Sequence, residues 1–354
     1  MPTTQAAAAL NEHLRQMVAW HFDEATGCPF WLDWAKQAGW DPRKEIKTIS
    51  DISRFPHFQD EWLRDEQNER FVPRGFGNRP FNIFETGGTT GLPKQRVGWE
   101  DYKTDYEEFG DNLDDTYFPR GGKWLMLGPT GPRRLRMAIE HLANYRGGSC
   151  YFVDLDPRWV KKLIARKQYD EVERYMKHVI DQGAEIIKHR GISCLFTTPR
   201  LLESLAEKIS LPGLGIKGVF CGGTSMTPQM VRFLSEEVLE GKAQFVPTYG
   251  NTLMGLACSL PGQLKENGYS VTYYAPQPRA VLRIVHADRT DELMDYGQYG
   301  RVELTTLTKE FFMPRFLERD EAIRRSPCDK YPWDGVGDVR PFGMLEKKVI
   351  EGVY

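Results

Sequence analysis

The residues best equipped for chemistry run from Thr86 to Lys94, read as Thr-Gly-Gly-Thr-Thr-Gly-Leu-Pro-Lys. Glycines let a backbone approach a ligand closely and reach dihedrals that side chains forbid. Successive N–H groups in such a turn form an anion-binding nest. The hydroxyls of Thr86, Thr89 and Thr90 add donors, and Lys94 adds a mobile positive charge. A polyphosphate is the ligand this chemistry suits. The stretch is not a Walker A loop, because Gln95 follows Lys94 where that motif needs Ser or Thr. It is not a dinucleotide fingerprint either, since nothing reads G-x-G-x-x-G into a helix. A plain hairpin turn is the simpler alternative, yet two residues suffice for a hairpin.

Three further sites follow in the chain. Gly222-Gly223-Thr224 comes after the apolar run Lys217 to Cys221, Tyr249-Gly250-Asn251-Thr252 comes after Gln244 to Thr248, and Gly337-Asp338 lies near the end. Taken singly, each has an ordinary explanation: a glycine pair before a helix, a core tyrosine with its turn, an aspartate capping a turn. The elements around them restrict the choice. Apolar strands at 123–127, 150–153, 194–197, 217–221 and 244–248 alternate with helical patterns at 133–145, 159–189, 199–209 and 228–239. That rhythm predicts a mostly parallel α/β sheet covered by helices. Ligands in such folds bind at the carboxyl ends of the strands, where the Gly-Gly-Thr and Tyr-Gly-Asn-Thr turns fall.

The loop resembles the phosphate loop of the adenylate-forming superfamily, which includes acyl-CoA synthetases and ligases similar to phenylacetate-CoA ligase. Its pattern, roughly [ST]-S-G-T-T-G-x-P-K, is met by Thr86, Gly88, Thr89, Thr90, Gly91, Pro93 and Lys94, with Gly87 replacing the usual serine. The resemblance implies that these residues cradle the pyrophosphate of ATP. Gly222, Gly223 and Thr224 resemble the loop whose backbone lies against adenine. Tyr249, Gly250, Asn251 and Thr252 resemble Y-G-x-T-E, with Tyr249 near adenine and Thr252 on the α-phosphate. Asp338 resembles the carboxylate that takes the ribose hydroxyls. Lys94 and Thr252 are the catalytic expectations. Phe220 and Tyr274 are the expected walls of an aromatic pocket. Arg133, Arg134 and Arg136 could attract an anionic substrate, although a solvated helix start is expected for at least two of them.

The resemblance further implies the large N-terminal domain of such an enzyme. A helical leader would span 1–80, an adenylate-forming α/β core 81–270, and a β-rich subdomain 271–354. Two departures stand out. Leu253 replaces the glutamate that helps hold Mg²⁺, and leucine offers a hard cation no oxygen. Mg²⁺ would then depend on phosphates, water and another residue, and no metal ligand is assigned. Residues 339–354 are also too few for the small C-terminal domain of the family. In length the chain looks like the stand-alone adenylate-forming proteins of phenazine antibiotic biosynthesis in griseoluteate-type pathways. That likeness implies an aromatic carboxylic acid substrate, such as a phenazine carboxylate, and a separate reductase or thiol acceptor protein. A truncated aryl-CoA ligase and a non-catalytic nucleotide or aryl-acid binding protein are the alternatives.

Composition sets outer bounds. The 354 residues carry a formal net charge of −2, which argues against a nucleic-acid partner. The sequence has no apolar run long enough to span a membrane. Six scattered cysteines without a C-x-x-C pair suit free thiols in a reducing cytoplasm. A homodimer is left open.

Overall fold

The computed structural model describes residues 2–88, 92–131, 134–222 and 225–343. Helix α1 (Thr4–Phe22) starts where the Ala6 N–H donates to Thr3 Oγ1. It buries Leu10, Leu14, Met17, Val18 and Phe22 along one stripe, as the 3.6-residue period requires. Helix α2 (Pro29–Ala38) begins on a proline and ends at Gly39 in the left-handed conformation, φ 75°. Short helices α3 (Pro42–Glu45) and α4 (Trp62–Asp65) complete this leader. Its aromatic side chains bind it to the rest of the chain. The Trp31 ring lies 5.3 Å from that of Phe312, and the indole N–H donates to the Phe312 carbonyl at 3.0 Å.

Strands β1 (Asn82–Glu85) and β2 (Gln95–Gly98) form an antiparallel hairpin with Glu85 opposite Gln95, so the Thr86–Lys94 loop caps it. Then follow α5 (Asp101–Asn112), β3 (Lys123–Pro129), α6 (Arg134–Tyr145), β4 (Ser149–Leu155), α7 (Pro157–Ala165) and α8 (Tyr169–Arg190). The alternation continues through β5 (Cys194–Thr197), α9 (Pro199–Ala206), β6 (Gly218–Cys221), α10 (Pro228–Phe233) and β7 (Gln244–Pro247). These strands make a parallel sheet in the order β4-β3-β5-β6-β7. Helices cover the sheet, so β5 and β6 are buried at every residue.

The remaining strands are antiparallel. A small hairpin pairs β8 (Tyr249–Asn251) with β9 (Gly255–Ala257). A second sheet, ordered β10-β14-β13-β12-β11, uses β10 (Thr272–Tyr273), β11 (Ala280–Val285), β12 (Tyr299–Leu307), β13 (Phe312–Arg325) and β14 (Gly335–Pro341). Charged side chains are buried inside this sheet because they are paired. Arg315 meets Glu303 at 3.1 Å and donates to the carbonyls of Ser53 and Phe55, which fastens the leader to β13. The mixed α/β fold with an antiparallel β-rich part agrees with the expectation from sequence.

Candidate functional site

Two adjoining cavities meet at Asn251, which lines both. The first encloses about 210 Å³ and is mainly apolar. Pro129, Thr198, Gly222 and Thr248 line it from just beyond or at the carboxyl ends of β3, β5, β6 and β7. Tyr106 of α5, Leu135 and Ala138 of α6, and Phe196 of β5 supply its apolar wall. The β8–β9 hairpin closes the remaining side through Gly250, Asn251, Thr252, Gly255 and Leu256. Two of these glycines are required by contact. A Cβ on Gly250 would lie 2.2 Å from the Gly255 carbonyl oxygen, and one on Gly255, φ 113°, would lie 2.1 Å from Asp105 Oδ2.

The second cavity, about 150 Å³, is the more polar of the two. Thr86, Gly87, Gly88, Leu92 and Lys94 line it from the β1–β2 loop. Leu253, Glu318 and Arg319 face them, and Arg64 sits at the edge. The loop's base is closed twice: Thr86 N–H donates to the Lys94 carbonyl, and Lys94 N–H to Thr86 Oγ1, both at 3.0 Å. Arg64 Nε donates to the Leu92 carbonyl at 2.9 Å. Lys94 is 7% exposed; its Nζ pairs with Asp60 at 3.1 Å and lies 4.4 Å from the Phe316 ring centre. Arg64 and Arg319 converge on the same Asp60 at 2.8 and 3.2 Å. Burial pushes the Asp60 carboxyl up, but Lys94, Arg64 and Arg319 outweigh it and hold it below the usual range. Glu318 has no such cluster. Burial pushes it up to about 7, with Lys94 only partly offsetting.

The predicted residues fall into three groups. Thr86, Gly88 and Lys94 line the polar cavity, Gly222, Gly250 and Thr252 line the apolar one, and Asn251 joins the two. The Thr252 hydroxyl is 3.3 Å from the Glu85 carbonyl. Thr89, Thr90, Gly91, Gly223, Thr224 and Arg133 lie outside the described residues. The others line neither cavity. Phe220 is fully buried behind Phe196, with ring centres 4.7 Å apart. Tyr274 stacks on Tyr331 at 4.8 Å and donates to the Ser326 carbonyl. Tyr249 packs against Tyr273, and its hydroxyl donates to Asp320 Oδ2 at 2.8 Å. Asp338 accepts from the Tyr299 hydroxyl. Arg134, at an expected helix start, is 5% exposed, pairs with Asp101 at 3.1 Å and lines the apolar cavity. Arg136 is at the surface with Glu140.

Sequence reading missed Glu318, Arg319 and Asp320. All three lie on β13, whose run of charges hides its strand period. Their signal was the density of charge itself, since charges survive inside a fold only when paired. For Mg²⁺ the donor set is thin but workable. Among the described residues, no group of three or more His, Cys, Asp or Glu could hold a metal alone. Mg²⁺ is ordinarily bound through one or two carboxylates plus substrate phosphates, and Glu318 offers one carboxylate on the polar cavity's wall.

No protein-family model matches the sequence, and no curated protein matches it. Solved structures do. 2-Hydroxyisobutyryl-CoA ligase in complex with 2-HIB-AMP and CoA, in the thioesterification state, superposes with TM-score 0.70 at 16% identity, covering 96% of this chain and 69% of the ligase. Its open conformation with the same ligands gives 0.69 at 15%, covering 96% and 74%. Its postadenylation state with R3-HIB-AMP gives 0.69 at 15%, covering 97% and 68%. At such identity the likeness speaks to architecture, and the chain has the mixed α/β fold of the large N-terminal domain of an adenylate-forming ligase.

Proposed function

We propose that this protein activates a carboxylic acid with ATP, forming an acyl-adenylate. The observation that carries this reading is the pair of cavities joined at Asn251, one polar beneath a Gly/Thr/Lys loop and one apolar at the strand ends. A polyphosphate in the first and an acyl group in the second would meet at the Asn251–Thr252 turn. There a carboxylate oxygen attacks the α-phosphorus, the bond to the bridging oxygen breaks, and pyrophosphate leaves. Lys94 and the loop stabilise the leaving group, and positioning supplies much of the acceleration. Thr252 is the hydroxyl offered to the α-phosphate. For the ribose diol we favour Asp320, which follows Glu318 and Arg319 of the polar cavity's wall and is bonded to Tyr249 at the start of the β8–β9 hairpin, over Asp338.

Tyr106, Phe196 and Pro129 suit an aromatic acid, and a phenazine carboxylate in secondary-metabolite biosynthesis is the substrate we favour. The acyl-adenylate would pass to a separate reductase or thiol acceptor. Pyrophosphate exchange into ATP, run with a panel of aromatic carboxylic acids, tests the proposal. Exchange that depends on one acid is expected. Silence across the panel with ATP binding intact would favour a non-catalytic binding protein, a reading that Leu253 supports.

A further inference from the structure

The loop after Tyr249 brings no acid to the polar cavity, because Leu253 lines it there and is 1% exposed. The opposite wall does bring one. Glu318, 8% exposed, lines the same cavity from β13 together with Thr86, Gly88 and Lys94. Its position is set through Asn251. Asn251 Oδ1 accepts from the N–H groups of Leu253 and Met254, both at 2.9 Å, which turns Nδ2 toward Glu318 Oε1 at 2.7 Å. A neutral amide donates to Glu318, and Lys94 and Arg301 attract it electrostatically, whereas Asp60 nearby pairs directly with Lys94, Arg64 and Arg319. A buried carboxylate whose neighbouring cations offset its burial only in part is costly. A divalent cation that arrives on a polyphosphate, still carrying waters and open positions, supplies the remaining charge and needs a carboxylate of this kind.

We propose that Glu318 is the protein's oxygen ligand for the Mg²⁺ that accompanies a polyphosphate into this cavity, supplied from β13 in place of the loop position occupied by Leu253. The inference rests on the nucleotide reading of the polar cavity. Calorimetric titration of the full chain with ATP, with and without Mg²⁺, tests it against Glu318→Gln, which keeps the size and the bond to Asn251. Mn²⁺·ATP read by electron paramagnetic resonance gives a second, non-catalytic signal. The wild type is expected to bind ATP at least tenfold tighter with Mg²⁺ than without. Glu318→Gln should lose most of that gain and alter the Mn²⁺ spectrum, while metal-free ATP binding is retained or strengthened because a carboxylate beside the polyphosphate has been neutralised. Glu318→Asp should recover part of the gain and serves if the glutamine variant does not fold. An unchanged Mg²⁺ gain in Glu318→Gln, or no gain in the wild type, overturns the proposal while leaving nucleotide binding intact. Absence of ATP binding to the wild type under both conditions overturns the nucleotide reading and this proposal with it.

Discussion

Lys94 is the side chain on which the polyphosphate reading depends, and its surroundings make it testable without unfolding the protein. Its partner Asp60 also holds Arg64 and Arg319, so removing the ammonium does not strand a buried carboxylate. A hydrogen bond to a charged group contributes about 1.5–3 kcal/mol, roughly a tenfold to hundredfold change in affinity. Lys94→Ala is therefore expected to weaken ATP binding by roughly that factor while the unfolding midpoint shifts little. In the same titration Asp320→Asn should weaken binding and Asp338→Asn should not. Unchanged affinity in Lys94→Ala would remove the phosphate-loop assignment, and the reverse order of the two aspartate variants would return the ribose to Asp338.

At the scale of elements, α1 shows how the leader is tied down and how it should fail in acid. His21 on α1 is 1% exposed; its Nε2 donates to the Thr308 carbonyl at 2.7 Å, and Nδ1 has no partner. Burial lowers its pKa to about 4, with the Thr308 bond only partly offsetting. The unfolded chain, with an ordinary histidine near 6.5, binds a proton that the folded chain refuses. Stability from this group is thus complete above about pH 6.5 and is lost as pH falls toward 4, up to roughly 3 kcal/mol. Asp105 and Glu318, whose carboxyls are pushed up, oppose this change over the same range. The test is therefore the comparison of wild type with His21→Gln by denaturant unfolding at pH 7.5 and 4.5. Relative to the variant, the wild type should lose stability by about that amount in acid, and an equal pH response in both would rule out His21 as its source. The elements themselves were largely legible. The alternating strands and helices of the parallel unit follow from period and punctuation. Strand β13 did not. Its Arg315, Arg319 and Arg324 pair with Glu303, Asp60 and Asp334 across the fold, so polar residues occupy positions that hydropathy reserves for apolar ones. Glu318 and Asp320 were hidden with it. Phe220 and Tyr274 failed as pocket walls for the opposite reason: an aromatic residue reads as apolar whether it faces a cavity or the core behind it.

For the whole molecule the question is what keeps the antiparallel sheet in register with the α/β part, since the two cavities draw their walls from both. Arg279, just before β11, reaches across to α5. It meets Asp105 at 2.9 Å and clasps both oxygens of Glu108 at 2.9 and 2.7 Å. Asp105 is buried beneath Gly255, the glycine that lines the apolar cavity. Burial pushes the Asp105 carboxyl up to about 6, with Arg279 and then Arg134 opposing it. Folding therefore disfavours its charged form, and this group costs stability as pH rises from about 4 to 6. Removing Arg279 leaves that charge less compensated, a loss worth about 3 kcal/mol in buried pairs. Arg279→Ala should destabilise by about that much near neutral pH, and Asp105→Asn in the same chain should give back part of the loss. The double-mutant cycle measures the coupling directly. A clear interaction energy is expected, because the two side chains share one buried contact between the two halves of the site. Simple additivity would mean that Glu108 alone anchors Arg279 and that the sheet is held in register by packing.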